Sequence, residues 1–178
     1  MTQRSSNRLR SLVRDRRGAT AVEFALLITP LMALILGSLQ LALIFFAGDA
    51  LQSVATTASR QLMVGSAQKG GMTQAQFHTA VCAHTPAFLP CSGLMVDVQS
   101  AGSYSSVSTT PITVTYDAKG NPTNAWSYSP GAPGDIVIVR VMYDWPVIGG
   151  PLAPGLANQS NGTHLLVGTT VLKNEPYQ

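Results

Sequence analysis

Glu23 stands at the mouth of a stretch that carries no formal charge from Phe24 to Gly48. A carboxylate at the edge of a membrane span has an ordinary reading, in which it snorkels to the interface at modest cost. A sharper reading asks which cation it would meet in low dielectric. A free α-amino group four residues earlier would serve, and it would exist if the chain were cut between Gly18 and Ala19. Glycine suits such a cut, because a residue without Cβ lets a protease approach an extended backbone closely. The cut would remove Arg4, Arg8, Arg10, Arg14, Arg16 and Arg17 against Asp15, a head of net charge +5.

A second group of reactive side chains lies further on. Cys82 and Cys91 are the only cysteines, with eight residues between them that include Pro86 and Pro90. In an oxidising compartment they would form a bridge, contributing about 2 to 3 kcal/mol in the chain-entropy picture. His78 and Cys82 are one helical turn apart, so His78, Cys82, His84 and Cys91 offer a zinc site as the alternative, although their spacing matches no common zinc pattern. Nothing in the chain resembles catalytic machinery. G-x-S-x-G and H-E-x-x-H are both missing, and the phosphate-loop start at Gly65 fails where Gly71-Met72 replaces the required lysine and hydroxyl. The sequence reads as a non-enzyme without a cofactor. Trp126, Tyr128, Tyr143 and Trp145 form either a binding surface or sheet packing, and strand positions favour packing. Asn158 and Asn161 match glycosylation acceptors but read as a polar turn.

Charge is segregated along the chain. The 160 residues after the basic head hold five Lys or Arg against seven Asp or Glu, a net −2. The pI near 9.1 therefore records a short basic head on a mildly acidic body and does not imply nucleic acid. At 178 residues there is room for one domain of ordinary size.

The elements that must position these groups follow from periodicity. The 25 uncharged residues from Phe24 to Gly48 would span roughly 37 Å as a helix, and a hydrocarbon core needs only about 20 residues. Arginines on the N-terminal side stay cytoplasmic, which places residues after about 50 outside. A cleaved secretory signal ending near Gly48-Asp49-Ala50 is one rival, but its apolar core would be unusually long. A plain membrane anchor is another.

Leu51, Val54, Ala55, Ala58 and Leu62 continue the helix at three and four spacings, which predicts one helix over 19–64, stopped by Gly65 and Gly70-Gly71. Pro30 should kink or locally unwind it. Thr73 with Gln76 opens a short second helix carrying Phe77 and Val81, ended by Pro86 and Pro90. The period then becomes two. Leu94 to Val98, Ile112 to Tyr116, Asp135 to Trp145 and His164 to Leu172 read as strands, with a turn over 118–121. In the longest, Val137, Val139, Val141 and Tyr143 share one face while Ile138, Arg140, Met142 and Asp144 share the other. The fold class is α+β, a long helix and a short one beside an antiparallel sheet of about four strands. Residues 100–110 and 127–134 read as exposed loops, and His164 as a surface residue.

Arg16-Arg17-Gly18 followed by Ala19-Thr20-Ala21-Val22-Glu23-Phe24 resembles the processing site of type IV pilin-like proteins. In these, prepilin peptidase cuts after the glycine and leaves glutamate at the fifth mature position. The Glu23-Phe24 pair, the preceding Thr20-Ala21 and the early Pro30 resemble the TadE-like pseudopilins of the tight-adherence (Tad/Flp) pilus system. The ending Lys173-Asn174-Glu175-Pro176-Tyr177 is similar to that family's Arg-Asn-Glu-Pro-aromatic ending, and the strand Ile136 to Trp145, with Tyr143 and Pro146, is similar as well.

The resemblance implies a cleaved leader at 1–18, a long helix at 19–64 whose half 24–48 is transmembrane, and an exterior domain at 65–178. Glu23 would neutralise the new N-terminus of Ala19, its own or a neighbouring subunit's. The chain would be a minor subunit crossing the inner membrane once, N-terminus in the cytoplasm and C-terminal domain periplasmic or extracellular. Prepilin peptidase, sister pseudopilins, pilus platform proteins and the major pilin would be its partners, in adhesion or secretion. Two other classes stay open: an anchored envelope protein with a ligand-binding outer domain, and a secreted binding domain. The mature N-terminal residue separates the three, being Ala19, Met1 or Thr2, or a position near Leu51.

Overall fold

The computed structural model describes residues 18–108, 110–148 and 155–176. Arg4 to Arg17, Gly149-Gly150-Pro151 and Tyr177 lie outside them. Helix α1 is Ala19–Met63, followed by the single turn α2, Ser66–Lys69, and by α3, Gln74–Cys82. Strands β1, Leu94–Ala101, β2, Ile136–Pro146, and β3, Thr163–Lys173, complete the regular elements. The chain divides into two units between Leu39 and Gln40.

The first unit is the N-terminal part of α1. Its large apolar side chains, Val22, Phe24, Leu26, Leu27, Leu31 and Leu34 among them, are exposed on every side. Lipid rewards that distribution and water does not. Of the kink or local unwinding expected at Pro30, an unwinding is not present, since α1 continues through it. A proline withdraws one backbone donor, and the bonds on either side suffice to carry the helix past. Hydroxyls are satisfied within the helix, Thr29 Oγ1 donating to the Ala25 carbonyl at 2.8 Å and Ser38 Oγ to that of Ile35 at 2.9 Å. Back-bonding of this kind is what a polar side chain needs where no water is present.

The second unit is built on the remainder of α1. Ile44, Ala47, Leu51, Val54, Ala55, Ala58 and Leu62 recur at helical spacing and are buried. They pack with Val96, Val98, Val137, Val139, Val141, Leu166 and Leu172 in one core, joined by Phe77 and Val81 of α3. The sheet has the order β1-β2-β3 and is antiparallel throughout. Val96 stands opposite Val141, and Asp97 opposite Arg140.

Helix and sheet meet closely at one glycine. A Cβ at Gly168 would fall 2.7 Å from the Leu51 carbonyl oxygen. Gly168→Ala is therefore expected to destabilise the second unit by about 1 to 3 kcal/mol through overpacking. Chemical denaturation of the full chain in detergent measures this, and a variant as stable as the parent would contradict the close approach. Beside this contact Gln52 grips the outer edge of β3. Its Nε2 donates to the Thr169 carbonyl and its Oε1 accepts from the Thr169 N–H, both at 2.9 Å.

The opposite face of the sheet is covered by the long connection between β1 and β2. Met95, Met142 and Val114 form a smaller core there, with Ile112, Tyr116, Trp126 and Leu165 against it. β2 is consequently buried on both faces from Ile136 to Met142, and its side chains divide between the faces as the alternation predicts.

Three strands are present among the described residues where about four were expected. Ile112 to Tyr116 is not one of them. Val114 alternates inward to reach Met95 and Met142, so its period of two reflects burial without a ladder. The segment folds back on itself through Tyr116 and Pro122. The Thr123 N–H donates to the Thr115 carbonyl at 2.8 Å, but Asn124 Oδ1 takes the Thr115 N–H at 2.8 Å, so a side chain replaces the return bond of a ladder. Residues 127–129, read as loop, instead bridge to β1 in parallel. There the Ser127 carbonyl accepts from the Val98 N–H at 2.9 Å, and the Val98 carbonyl from the Ser129 N–H at 2.8 Å.

Candidate functional site

Ala19 is the first residue of α1, and Glu23 lies one turn further on. Side chains at this separation are neighbours on a helix surface, about 5 to 6 Å apart at Cβ. Glu23 and Phe24 are exposed, and among the described residues no cation pairs with Glu23. The first turn of a helix also carries unsatisfied N–H groups and the positive end of the helix dipole. An α-amino group at Ala19 would add a full charge at the same end, and Glu23 would face both.

Cys82 and Cys91 form a disulfide with 5.4 Å between their Cα atoms. It ties the end of α3 to the turn Cys91–Gly93 that leads into β1. The start of α3 is fixed by a reciprocal cap, Thr73 Oγ1 accepting from the Gln76 N–H while Gln76 Oε1 accepts from the Thr73 N–H. His78 also belongs to this corner. Its Nε2 lies 3.0 Å from the Leu94 carbonyl and its Nδ1 3.7 Å from Cys82 Sγ. Of the four residues of the zinc alternative, His78, Cys82 and Cys91 come together with donor atoms within 4.8 Å of one another. Both sulfurs are bonded to each other here, which leaves no thiolate to ligate a metal.

An open cleft of about 490 Å³ borders His78, lined also by Gln74, Phe77, Leu94, Trp126 and Tyr128. Gln74 Nε2 donates to the Trp126 carbonyl at 2.9 Å across it, while the buried Tyr128 hydroxyl has no hydrogen-bond partner among the described residues. The four aromatics do not form one surface. Tyr128, Tyr143 and Trp145 pack against the core beneath α1, whereas Trp126 packs on the opposite face of the sheet. His164 is half-buried, its Nδ1 held 2.6 Å from the Leu156 carbonyl. Asn158 and Asn161 make the polar turn before β3, accepting from the backbone N–H groups of Leu165 and Thr163.

The C-terminal motif closes the far end of α1. Asn174 is buried, and its Nδ2 donates to the carbonyls of Pro130 at 2.9 Å and Ala132 at 3.1 Å. Its own N–H donates to the Asp135 carbonyl at 2.8 Å. The loop curls round this side chain at Gly131, whose φ of 71° favours glycine. Glu175 N–H then donates to the Met63 carbonyl at 2.9 Å, satisfying one of the orphan carbonyls at the end of α1. Lys173 and Pro176 are exposed.

A buried ion pair was not anticipated from the sequence. Arg140 Nη1 and Asp97 Oδ2 are 3.7 Å apart, with side chains only 8% and 5% exposed. Arg140 Nη2 donates to the Ser108 carbonyl, while Asp97 accepts from the Ser127 N–H at 2.9 Å and from Gln99 Nε2 at 2.8 Å. The pair thus pins two points of the covering connection to the sheet. A signal was present, since each is a charge set within an apolar run (LMVDVQS and IVIVRVM). Near the other end of β2, Tyr116 donates to Asp144 Oδ1 at 2.9 Å. Burial first, then that bond and the carboxylate charge, hold the Tyr116 phenol well above its ordinary pKa.

Residues 18–60 match the family model described as TadE-like protein. The match begins at Gly18 and takes in Glu23, Phe24 and Pro30, in agreement with the resemblance read from those residues. The match takes in 43 of the 178 residues and suggests a protein associated with the Tad pilus. The apolar helix is long and apolar enough to anchor the chain in a membrane. No curated protein and no solved structure matches the chain.

Proposed function

We propose, from the premise of a TadE-like helix over residues 18–60, that this chain is a minor pilin-like subunit of a Tad pilus. Prepilin peptidase trims it after Gly18 in the inner membrane, and it joins sister pseudopilins, the platform proteins and the major pilin through α1. Its exterior domain serves adhesion or secretion. The observation that carries the reading is the placement of Glu23 one turn from Ala19, on a helix whose large exposed side chains there are apolar. A carboxylate left alone in that setting is costly, and a chain end delivered by proteolysis gives it a partner. Removal of the basic leader also lets the helix pack among its neighbours without six arginines.

Release by signal peptidase near Leu51 fits the fold poorly. Ile44, Ala47 and Leu51 are core residues, and a cut there would strip part of the core from the domain it supports. Determining the N-terminal residue of the protein purified from cell envelopes tests the proposal. Ala19 is the expected result. Met1 or Thr2 would leave only an anchored envelope protein, and an end near Leu51 would mean a released domain.

A further inference from the structure

The loop between the two cysteines carries an exposed phenylalanine at its tip. Phe88 is 41% exposed, while the next residue, Leu89, is fully buried and fixes the loop to the core. The disulfide holds both ends of the loop, and residues 83–90 contain no Asp, Glu, Lys or Arg. Phe88 meets Phe46 of α1 with ring centroids 5.3 Å apart. Phe46 is itself 61% exposed, and its neighbour Phe45 67%. An aromatic rim therefore continues directly from the helix surface onto the loop.

Where this rim lies follows from counting residues. The uncharged run begins at Phe24, and the first charge after it is Asp49. A hydrocarbon core uses about 20 helical residues, and a headgroup layer adds roughly 5 to 7 Å on each side, about four more residues. A span that starts at Phe24 is used up near Leu43, which puts residues 44–48 in the headgroup layer. We propose that Phe88, in ring contact with Phe46, rests in that layer, so that the disulfide-closed loop is a lipid-contacting foot of the exterior domain. Aromatic side chains are favoured at this depth. The loop brings no carboxylate, ammonium or guanidinium group into it, His84 being its one titratable side chain. The inference rests on α1 spanning the bilayer and not on the pilus role.

A photoreactive benzophenone analogue of phenylalanine placed at position 88 of the full chain tests this, in vesicles of phosphatidylethanolamine and phosphatidylglycerol. The same analogue at Ile35, within the span, and at Tyr104, an exposed position in the turn Tyr104–Ser106, supplies the references. After illumination, mass spectrometry should find lipid adducts at 88 in several-fold excess over 104. Lipid adducts at 35 with none at 88 overturn the proposal while leaving the span intact. Adducts at 88 to a second protein chain also overturn it, since the rim would then be a subunit contact. Failure at both 35 and 88 removes the span reading and this inference together.

Discussion

Glu23→Ala is expected to enter the membrane and lose its leader normally, yet fail to join its partners. In the proposed route the cut would depend on Gly18 and the basic head, and insertion on the apolar run; neither would need the carboxylate. Assembly would bring the new α-amino group of Ala19 into a packed, low-dielectric environment. Leaving such a charge unpaired costs on the order of 3 to 5 kcal/mol, more than about a hundred-fold in an equilibrium. Glu23→Gln should fail to a similar extent, because an amide keeps the shape and loses the charge. The readout is the fraction of processed chain recovered with pilus components, together with the number of pili per cell. Wild-type incorporation of either variant would end the charge-pairing account.

Arg140→Ala should produce the largest loss of stability in the exterior domain. It strands the Asp97 carboxylate in a nearly closed site and frees the Ser108 carbonyl that Arg140 Nη2 holds. Removing one member of a buried pair costs about 3 to 5 kcal/mol, which corresponds to roughly 10 to 20 °C in melting temperature for a domain of this size. The double variant Asp97→Ala/Arg140→Ala should cost clearly less than the sum of the two single variants, the signature of coupled groups. Thermal melts of the full chain in detergent give these values. Additive effects, or a single variant within about 1 kcal/mol of the parent, would show that the pair does not hold the covering connection in place.

Much of the architecture was legible because local patterns and global packing agree. The helical spacing of Leu51 through Leu62 gave α1, and Thr73 with Gln76 marked the start of α3 through a cap that is present in full. The two-residue period of β2 separated its faces correctly. Ile112 to Tyr116 misled because alternation reports burial, and a loop lying over a sheet can alternate without belonging to it.

The site was legible in part. Gly18, Glu23 and Phe24 stand out through their resemblance to a processing site, and Ala19 and Glu23 are one turn apart on any helix. Asp97 with Arg140, by contrast, is a matter of strand register, which no local pattern specifies. Asn174 was visible as part of a motif, but its work as a clamp on residues 130–132 depends on a loop some forty residues away.

The grip of Gln52 on Thr169 has a consequence for crowding. A sheet border with bare peptide groups invites another chain to add itself there, and many copies side by side in an envelope would multiply the risk. Here a side-chain amide occupies the seat a foreign peptide would take. Copies that meet at this border cannot knit together through main-chain pairing unless they first dislodge it, so their encounters stay reversible.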